Sequence, residues 1–195
     1  MRQLFIFVWC LFVLNTTDAQ IYFLSENDIR LQEKEMVPTL SAYTQCNLTP
    51  ENGKWGWSIF ALATKGWGEV LPGLWYSPAQ GVQIGLATGL ESAGKTWRLS
   101  PSFIKLPSRD PKTFFDHCLF KAIYEKGAGK ENYWYHISNE YFYENWSYGI
   151  MFRREYGLGP MVAMKLHGID IKIAPLYDME HSEFKPMLGL SWECF

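Results

Sequence analysis

The chain has 195 residues, a formal net charge of −2 and 17% aromatic residues. This length suits one domain, and the small net charge gives no electrostatic reason to expect nucleic acid as a partner. Nine Trp and eleven Tyr exceed what a soluble core requires and favour an amphipathic setting such as a membrane interface. No run of eighteen apolar residues occurs, so the sequence predicts no transmembrane helix.

The first residues have the order of features found in a cleavable export signal. Arg2 supplies a positive start, Leu4–Leu14 is an apolar stretch too short to span a bilayer, and Thr17–Ala19 supplies small residues for cleavage. We therefore predict a signal peptide over residues 1–19 and a mature chain that begins at Gln20. The alternative is a buried N-terminal helix.

Residues 20–36 are polar and charged, and they predict a short mobile segment or a small helix. From Val37 to Phe195 the apolar residues alternate with small or polar ones, as in Val82–Thr88, which is the period of a β-strand. Turn signals rich in Gly, Pro, Asn and Asp separate these segments. The sequence therefore predicts one β domain over residues 37–195.

Eleven segments qualify as strands, and Asp178–Lys185 is predicted as a charged loop. The eleven are Val37–Leu48, Lys54–Thr64, Trp67–Tyr76, Gly81–Leu90, Thr96–Ile104, Thr113–Glu125, Asn132–Tyr143, Ser147–Tyr156, Pro160–Leu166, Ile169–Ile173 and Met187–Phe195. Bacterial single-chain barrels have even strand numbers. We therefore predict about ten strands, within a range of eight to twelve. Trp67–Tyr76, which contains Pro72, is one of the doubtful segments.

The polarity of the two strand faces favours a membrane barrel over a soluble protein. Residues 132–143 place tyrosines at both ends of one face, and the other face carries Trp134, His136, Ser138, Glu140 and Phe142, with the polar groups in the middle. Membrane barrels point apolar groups outward and carry aromatic girdles. The prediction is a single closed antiparallel up-and-down transmembrane β-barrel. A secreted lipocalin-like or β-sandwich binding module is the alternative.

The end of the chain resembles the last strand of bacterial outer-membrane β-barrel proteins. Leu188, Leu190 and Trp192 alternate with Gly189 and Ser191 before a terminal Phe195. The resemblance is to this class and not to one family. It implies an outer-membrane location in a Gram-negative bacterium, with membrane lipids and the barrel assembly machinery as partners.

Residues 89–96 match the phosphate-binding pattern G-x-x-x-x-G-K-[ST] through Gly89, Gly94, Lys95 and Thr96. A true phosphate loop opens a helix. Here Pro101 follows closely and the pattern continues with period two, so we interpret the segment as a hairpin turn and predict no nucleotide and no cofactor.

His136, Ser138 and Glu140 share one strand face, with about 7 Å between successive members. The string His136–Asn139 resembles the His-x-Ser-Asn of the outer-membrane lipid A deacylase PagL, itself a small barrel. That resemblance implies an envelope-lipid hydrolase in which Glu140 or Glu144 would supply the acid. The alternative, which we favour, is a set of polar residues that line a barrel interior.

The remaining reactive side chains predict no further chemistry. Cys46, Cys118 and Cys194 remain after signal removal, and three cysteines allow at most one disulfide. The other histidines lack metal-ligand spacing, so no metal site is predicted. The leading hypothesis is a non-enzymatic outer-membrane barrel with a structural, adhesive or narrow-pore role, because a small barrel fills most of its interior with side chains.

Overall fold

A computed structural model describes residues 20–30, 35–47, 54–64, 66–92, 96–108 and 110–194. Within these ranges, the structure describes only the backbone of residues 20–30, 35–38, 46–47 and 193–194. The predicted signal peptide lies outside the described residues and stays a prediction. Among the described residues, no helix is long and apolar enough to cross a membrane.

Twelve strands and one short 3-10 helix make up the described chain. The strands are β1 (Gln20–Arg30), β2 (Glu35–Asn47), β3 (Trp55–Thr64), β4 (Trp67–Ala79), β5 (Val82–Glu91), β6 (Trp97–Lys105), β7 (Cys118–Gly127), β8 (Tyr133–Tyr143), β9 (Trp146–Arg153), β10 (Gly157–Leu166), β11 (Ile169–Asp178) and β12 (Glu183–Cys194). The predicted all-β antiparallel up-and-down architecture is confirmed.

Each strand pairs with the next along the chain, and β1 also pairs with β12, so the sheet forms a closed barrel. The first and last strands run antiparallel, with Ile21 opposite Cys194. We call the end that holds Gln20 and Cys194 the near end. The opposite end, which holds the turns at 128–132, 154–156 and 179–182, is the far end.

The number and limits of the strands differ from the sequence prediction in several places. Twelve strands, the upper limit of the predicted range, replace about ten, because all eleven candidate segments form strands and residues 20–36 contain β1 in place of a mobile segment or helix. The doubtful segment that contains Pro72 is strand β4, and the predicted charged loop 178–185 shrinks because β12 begins at Glu183. Sheet pairing with β2 and β12 supplies the backbone partners that make the polar segment of β1 a strand.

Prolines are accommodated where the hydrogen-bonded ladder is interrupted. The register between β4 and β5 omits Leu71 and Pro72, and the register between β6 and β7 omits Ser100 and Pro101. A proline has no N–H to donate, so it is tolerated where the ladder is already open. This explains why Pro72 and Pro101 do not end their strands.

The predicted strand 113–125 begins later than expected, because Phe114–His117 is a 3-10 helix and β7 starts at Cys118. The Asp116 carboxylate accepts hydrogen bonds from the backbone N–H groups of Lys112 and Thr113, at 3.0 and 2.8 Å. These bonds turn the chain before the strand and lower the pKa of the Asp116 carboxyl.

The barrel has apolar side chains outside and a mixed interior, with buried polar side chains on most strands and a buried apolar cluster on β9–β12. On β5, Leu86 and Leu90 point outward and are 56% and 70% exposed, whereas inward-facing Glu91 is 6% exposed. The same alternation runs along the other strands whose side chains are described. The exposed outer set includes Val70, Leu74, Ile84, Phe103, Tyr124, Ile137, Ile150, Leu158, Val162, Ile173, Phe184 and Trp192. A soluble protein would bury these groups instead.

Candidate solute cavity in the barrel interior

A cavity of about 650 Å³ lies inside the barrel. Its lining runs along β5 from Gln83, near one end of the strand, to Glu91 at the other. Eight residues of extended chain cover about 26 Å, which is most of the height of the barrel. The cavity therefore follows the barrel axis and reaches the far end, where Glu131 and Glu155 line it.

The cavity occupies one side of the interior only. Its described lining comes from β2–β9 and the far-end turns, with no residue of β10, β11 or β12. On the other side, the space is filled by a buried cluster of Met151, Met161, Ala174, Leu176 and Met187. This packed cluster narrows the lumen of a barrel that twelve strands would otherwise leave wide.

Arg98 is the centre of a buried charged network at the far end of the cavity. Its guanidinium lies 3.2 Å from Glu69, 2.8 Å from Glu91 and 2.9 Å from Glu125. Asn132 accepts a further hydrogen bond from Arg98 at 3.0 Å and donates one to Glu91 at 2.6 Å. One cation therefore holds three carboxylates, contributed by β4, β5 and β7, along the cavity wall.

A second fixed cation, Arg153, is the last residue of β9 and also lines the cavity. Its guanidinium carbon lies 5.1 Å from the ring centre of Trp134 and 4.6 Å from that of Tyr156. Its Nη1 lies 3.6 Å from Sδ of Met187, a member of the buried cluster. Stacking on two rings holds the guanidinium in one orientation toward the lumen.

The three candidate catalytic residues of the sequence, His136, Ser138 and Glu140, all point into the barrel and are buried. The described residues provide no hydrogen-bond partner for His136 Nε2 or Ser138 Oγ, so the serine is not paired with the imidazole as a nucleophile with its base. Glu140 instead lies 3.4 Å from Lys172 of β11. Residues two positions apart on one strand lie about 7 Å from each other. The three side chains therefore line the barrel interior separately and do not form a catalytic group.

The phosphate-loop pattern falls on a hairpin. The pattern begins at Gly89, within β5, and its last residue, Thr96, immediately precedes β6. A strand and not a helix therefore follows the pattern. The Glu91 N–H donates to the Thr96 carbonyl at 3.0 Å, and the Thr96 Oγ1 accepts from the Ala128 N–H at 3.2 Å. Gly94 and Lys95 lie outside the described residues.

The cysteines and possible metal ligands add no further site in the part of the chain that the structure describes. Cys118 is buried with a free thiol, and the side chains of Cys46 and Cys194 lie outside the described part of the structure. No group of three or more His, Cys, Asp or Glu in the described ranges could hold a metal ion.

Sequence reasoning did not single out Glu69, Arg98 or Glu125, although the signal was available. Each is a charged residue at an inward position of an alternating strand. The register of β4–β7 places Glu69, Glu91 and Glu125 at the same level along the barrel axis as Arg98.

Comparison with known proteins identifies the class of fold. No protein-family model and no curated protein sequence matches the chain. The solved structure of the KdgM porin is similar, with a TM-score of 0.54, 11% sequence identity, and coverage of 90% of this chain and 99% of the porin. The KdgM porin in complex with disordered oligogalacturonate gives the same values.

At 11% identity the likeness concerns the fold alone. The chain therefore has the fold of a porin-type β-barrel. The resemblance to outer-membrane β-barrel proteins that the sequence indicated is confirmed at the level of this class, without a specific family.

Proposed function

We propose that this chain is an outer-membrane barrel that conducts small polar solutes through a narrow, charged lumen. The observation that carries the proposal is the reversed polarity of the barrel. Leu86 and Leu90 face outward beside the inward-facing Glu91, and the cavity behind that wall runs most of the barrel height. Hydrocarbon outside and water inside would stabilise this arrangement.

Aromatic pairs at both ends of the barrel support a membrane setting. At the near end, Trp55 lies 4.7 Å from Tyr76, and Tyr141 stacks on Phe114 at 4.8 Å. Matching pairs near the far end are Tyr124–Tyr133 and Tyr135–Phe152, at 6.4 and 4.8 Å. Two belts separated by an apolar band are what the headgroup layers of a bilayer favour.

The filled half of the lumen and the charged wall of the other half favour selective passage of small solutes over free diffusion of large ones. The similar fold of the KdgM porin, solved with oligogalacturonate, supports conduction as the role of the barrel. Export by a signal peptide and insertion by the barrel assembly machinery are parts of the same proposal.

The proposal is tested by ion conductance of the chain in planar lipid bilayers. We expect discrete conductance steps, and we expect Ala87→Trp to reduce the step size severalfold because Ala87 lines the cavity. Leu90→Trp is the matched control, since Leu90 lies on the same strand but not in the cavity lining, and its side chain points outward. Absence of conductance, or equal reduction by both variants, would contradict the channel.

A further inference from the structure

An apolar groove of about 540 Å³ crosses the outer face of β5–β9. Its middle row consists of residues that lie directly opposite one another on successive strands, namely Ile84, Phe103, Ala122, Ile137 and Phe152. Ala122 has the smallest side chain of the row, so the outer wall is lowest there. A methyl group between larger neighbours leaves a depression that a hydrocarbon chain can fill with favourable contacts.

Two lysines lie at the far end of the same outer face. Lys126 follows the outward-facing Tyr124 by two residues on β7, so it also points outward, and Lys130 is exposed in the turn that follows. Lys126 Nζ donates hydrogen bonds to the carbonyl groups of Gly129 and Lys130. These acceptors are neutral and do not offset its charge. Neither lysine forms an ion pair with a residue of the described chain.

The neighbouring charges do not cancel those of the two lysines. Arg154 lies 3.7 Å from the ring centre of Tyr133, and its charge is offset by Glu131 at 3.6 Å. Tyr133 lies directly opposite Lys126, whose Nζ is 5.9 Å from the same ring centre. Lys126 and Lys130 therefore leave two positive charges at the outer surface, which favours an anionic group there.

The groove and the two lysines are within reach of one lipid molecule. Ala122 and Lys126 are four residues apart on β7, which is about 13 Å of extended chain. One leaflet contributes about half of a hydrocarbon core roughly 30 Å thick. Tyr124, which stacks with Tyr133 at 6.4 Å, lies between groove and lysines, where an aromatic belt marks the headgroup level. A lipid with its headgroup at Lys126 can therefore place an acyl chain over Ala122.

We propose that this groove, together with Lys126 and Lys130, forms a binding site for an anionic phospholipid on the outer wall of the barrel. The two ammonium groups bind the phosphate of the headgroup, and one acyl chain lies in the groove over Ala122. The site rests on the membrane setting of the proposed function and does not depend on conduction.

The test measures lipid retention by native mass spectrometry of the mature chain folded in detergent micelles. The probes are phosphatidylglycerol, phosphatidylcholine with the same acyl chains, and glycerol phosphate without chains. We expect phosphatidylglycerol to bind at least about tenfold more tightly than phosphatidylcholine, because only the former headgroup has a net negative charge. Glycerol phosphate is expected to bind far more weakly than phosphatidylglycerol. Equal affinities for the two lipids, or for phosphatidylglycerol and glycerol phosphate, would overturn the proposal.

A double variant assigns the headgroup preference to the two lysines. Lys126→Gln with Lys130→Gln is expected to bind both lipids equally. The matched control, Lys112→Gln with Lys165→Gln, removes the same charge from exposed near-end positions and is expected to keep the preference. A preference that survives in the first double variant, or that both double variants lose equally, would refute the role of Lys126 and Lys130.

A further pair of variants tests the groove. Ala122→Trp fills the depression and is expected to weaken both lipids severalfold. Ala63→Trp is its matched control, since Ala63 is exposed on the outer face of β3 and lies outside the groove. Folding of every variant is checked by heat-modifiable gel mobility. Equal lipid affinities for folded Ala122→Trp and Ala63→Trp would show that the acyl chain does not occupy the groove.

Lipid binding and conduction fail separately. Mass spectrometry needs no ion current, so a chain that prefers phosphatidylglycerol without conducting would contradict the channel and leave this site intact. A chain that conducts without this preference would refute the site and leave the channel intact.

Discussion

Arg98→Met is expected to lower the free energy of unfolding by about 3–5 kcal/mol, because it leaves buried carboxylates without their counter-charge. Three acids lie within 3.2 Å of the Arg98 guanidinium, namely Glu69, Glu91 and Glu125. Arg98→Lys keeps the charge and loses the planar set of donors. The free energy of unfolding of Arg98→Lys is therefore expected to lie between those of the wild type and Arg98→Met.

The measurement is urea unfolding of the barrel in lipid vesicles, followed by tryptophan fluorescence. Lys112→Met is the control, because it removes a cation whose pairing with Asp110 at 3.9 Å is exposed to water; its effect is expected to stay within about 0.5 kcal/mol. Acidification is expected to restore part of the stability of Arg98→Met, since a protonated carboxyl needs no counter-ion. A cost of Arg98→Met no larger than that of the control would show that the network does not stabilise the barrel.

Leu86→Arg is expected to destabilise the barrel in a bilayer by about 2–4 kcal/mol, the cost of placing an arginine on the lipid-facing side near the membrane centre. Leu86 lies midway along β5 and points outward with 56% of its surface exposed. The reason is desolvation, since hydrocarbon cannot hydrate a guanidinium. The same side chain placed in the lumen stays hydrated.

Gln83→Arg supplies that comparison, because Gln83 lies on the same strand and lines the cavity. We expect it to unfold at nearly the wild-type urea concentration, whereas Leu86→Arg unfolds earlier and inserts poorly into vesicles. The reverse order of the two variants would mean that the outer face of β5 is in water.

The fold was predictable from the sequence wherever alternation is strong. Val82–Glu91 and Tyr133–Tyr143 show a clear period of two, and the structure gives strands there with the expected faces inside and outside. β1 was not predicted, because the apolar residues 21–24 follow one another without alternation and the charged residues come after them. The strand is defined by its pairing with β2 and β12. Pairing with the last strand of the chain cannot be recognised from the local pattern of residues in β1.

The candidate site was predictable in part. The alternation placed His136, Ser138 and Glu140 on one inward face, as the structure has them. Their neighbours Lys121 and Arg153 belong to other strands, and the register that sets them opposite Ser138 and His136 depends on turn lengths and on barrel closure. A single strand pattern therefore identifies the inner face and does not identify the partners across it.

The most direct test of the reversed polarity is site-directed spin labelling along β5 in lipid vesicles. Labels are placed singly at residues 82–91 of a variant in which the native cysteines are replaced, and collision with oxygen, which concentrates in hydrocarbon, is compared with collision with a water-soluble nickel chelate. We predict alternation of period two, with oxygen favoured at Leu86 and the chelate favoured at Gly85 and Ala87. Chelate access at Leu86 equal to that at Ala87, or the opposite alternation, would contradict a barrel that faces lipid with its apolar side.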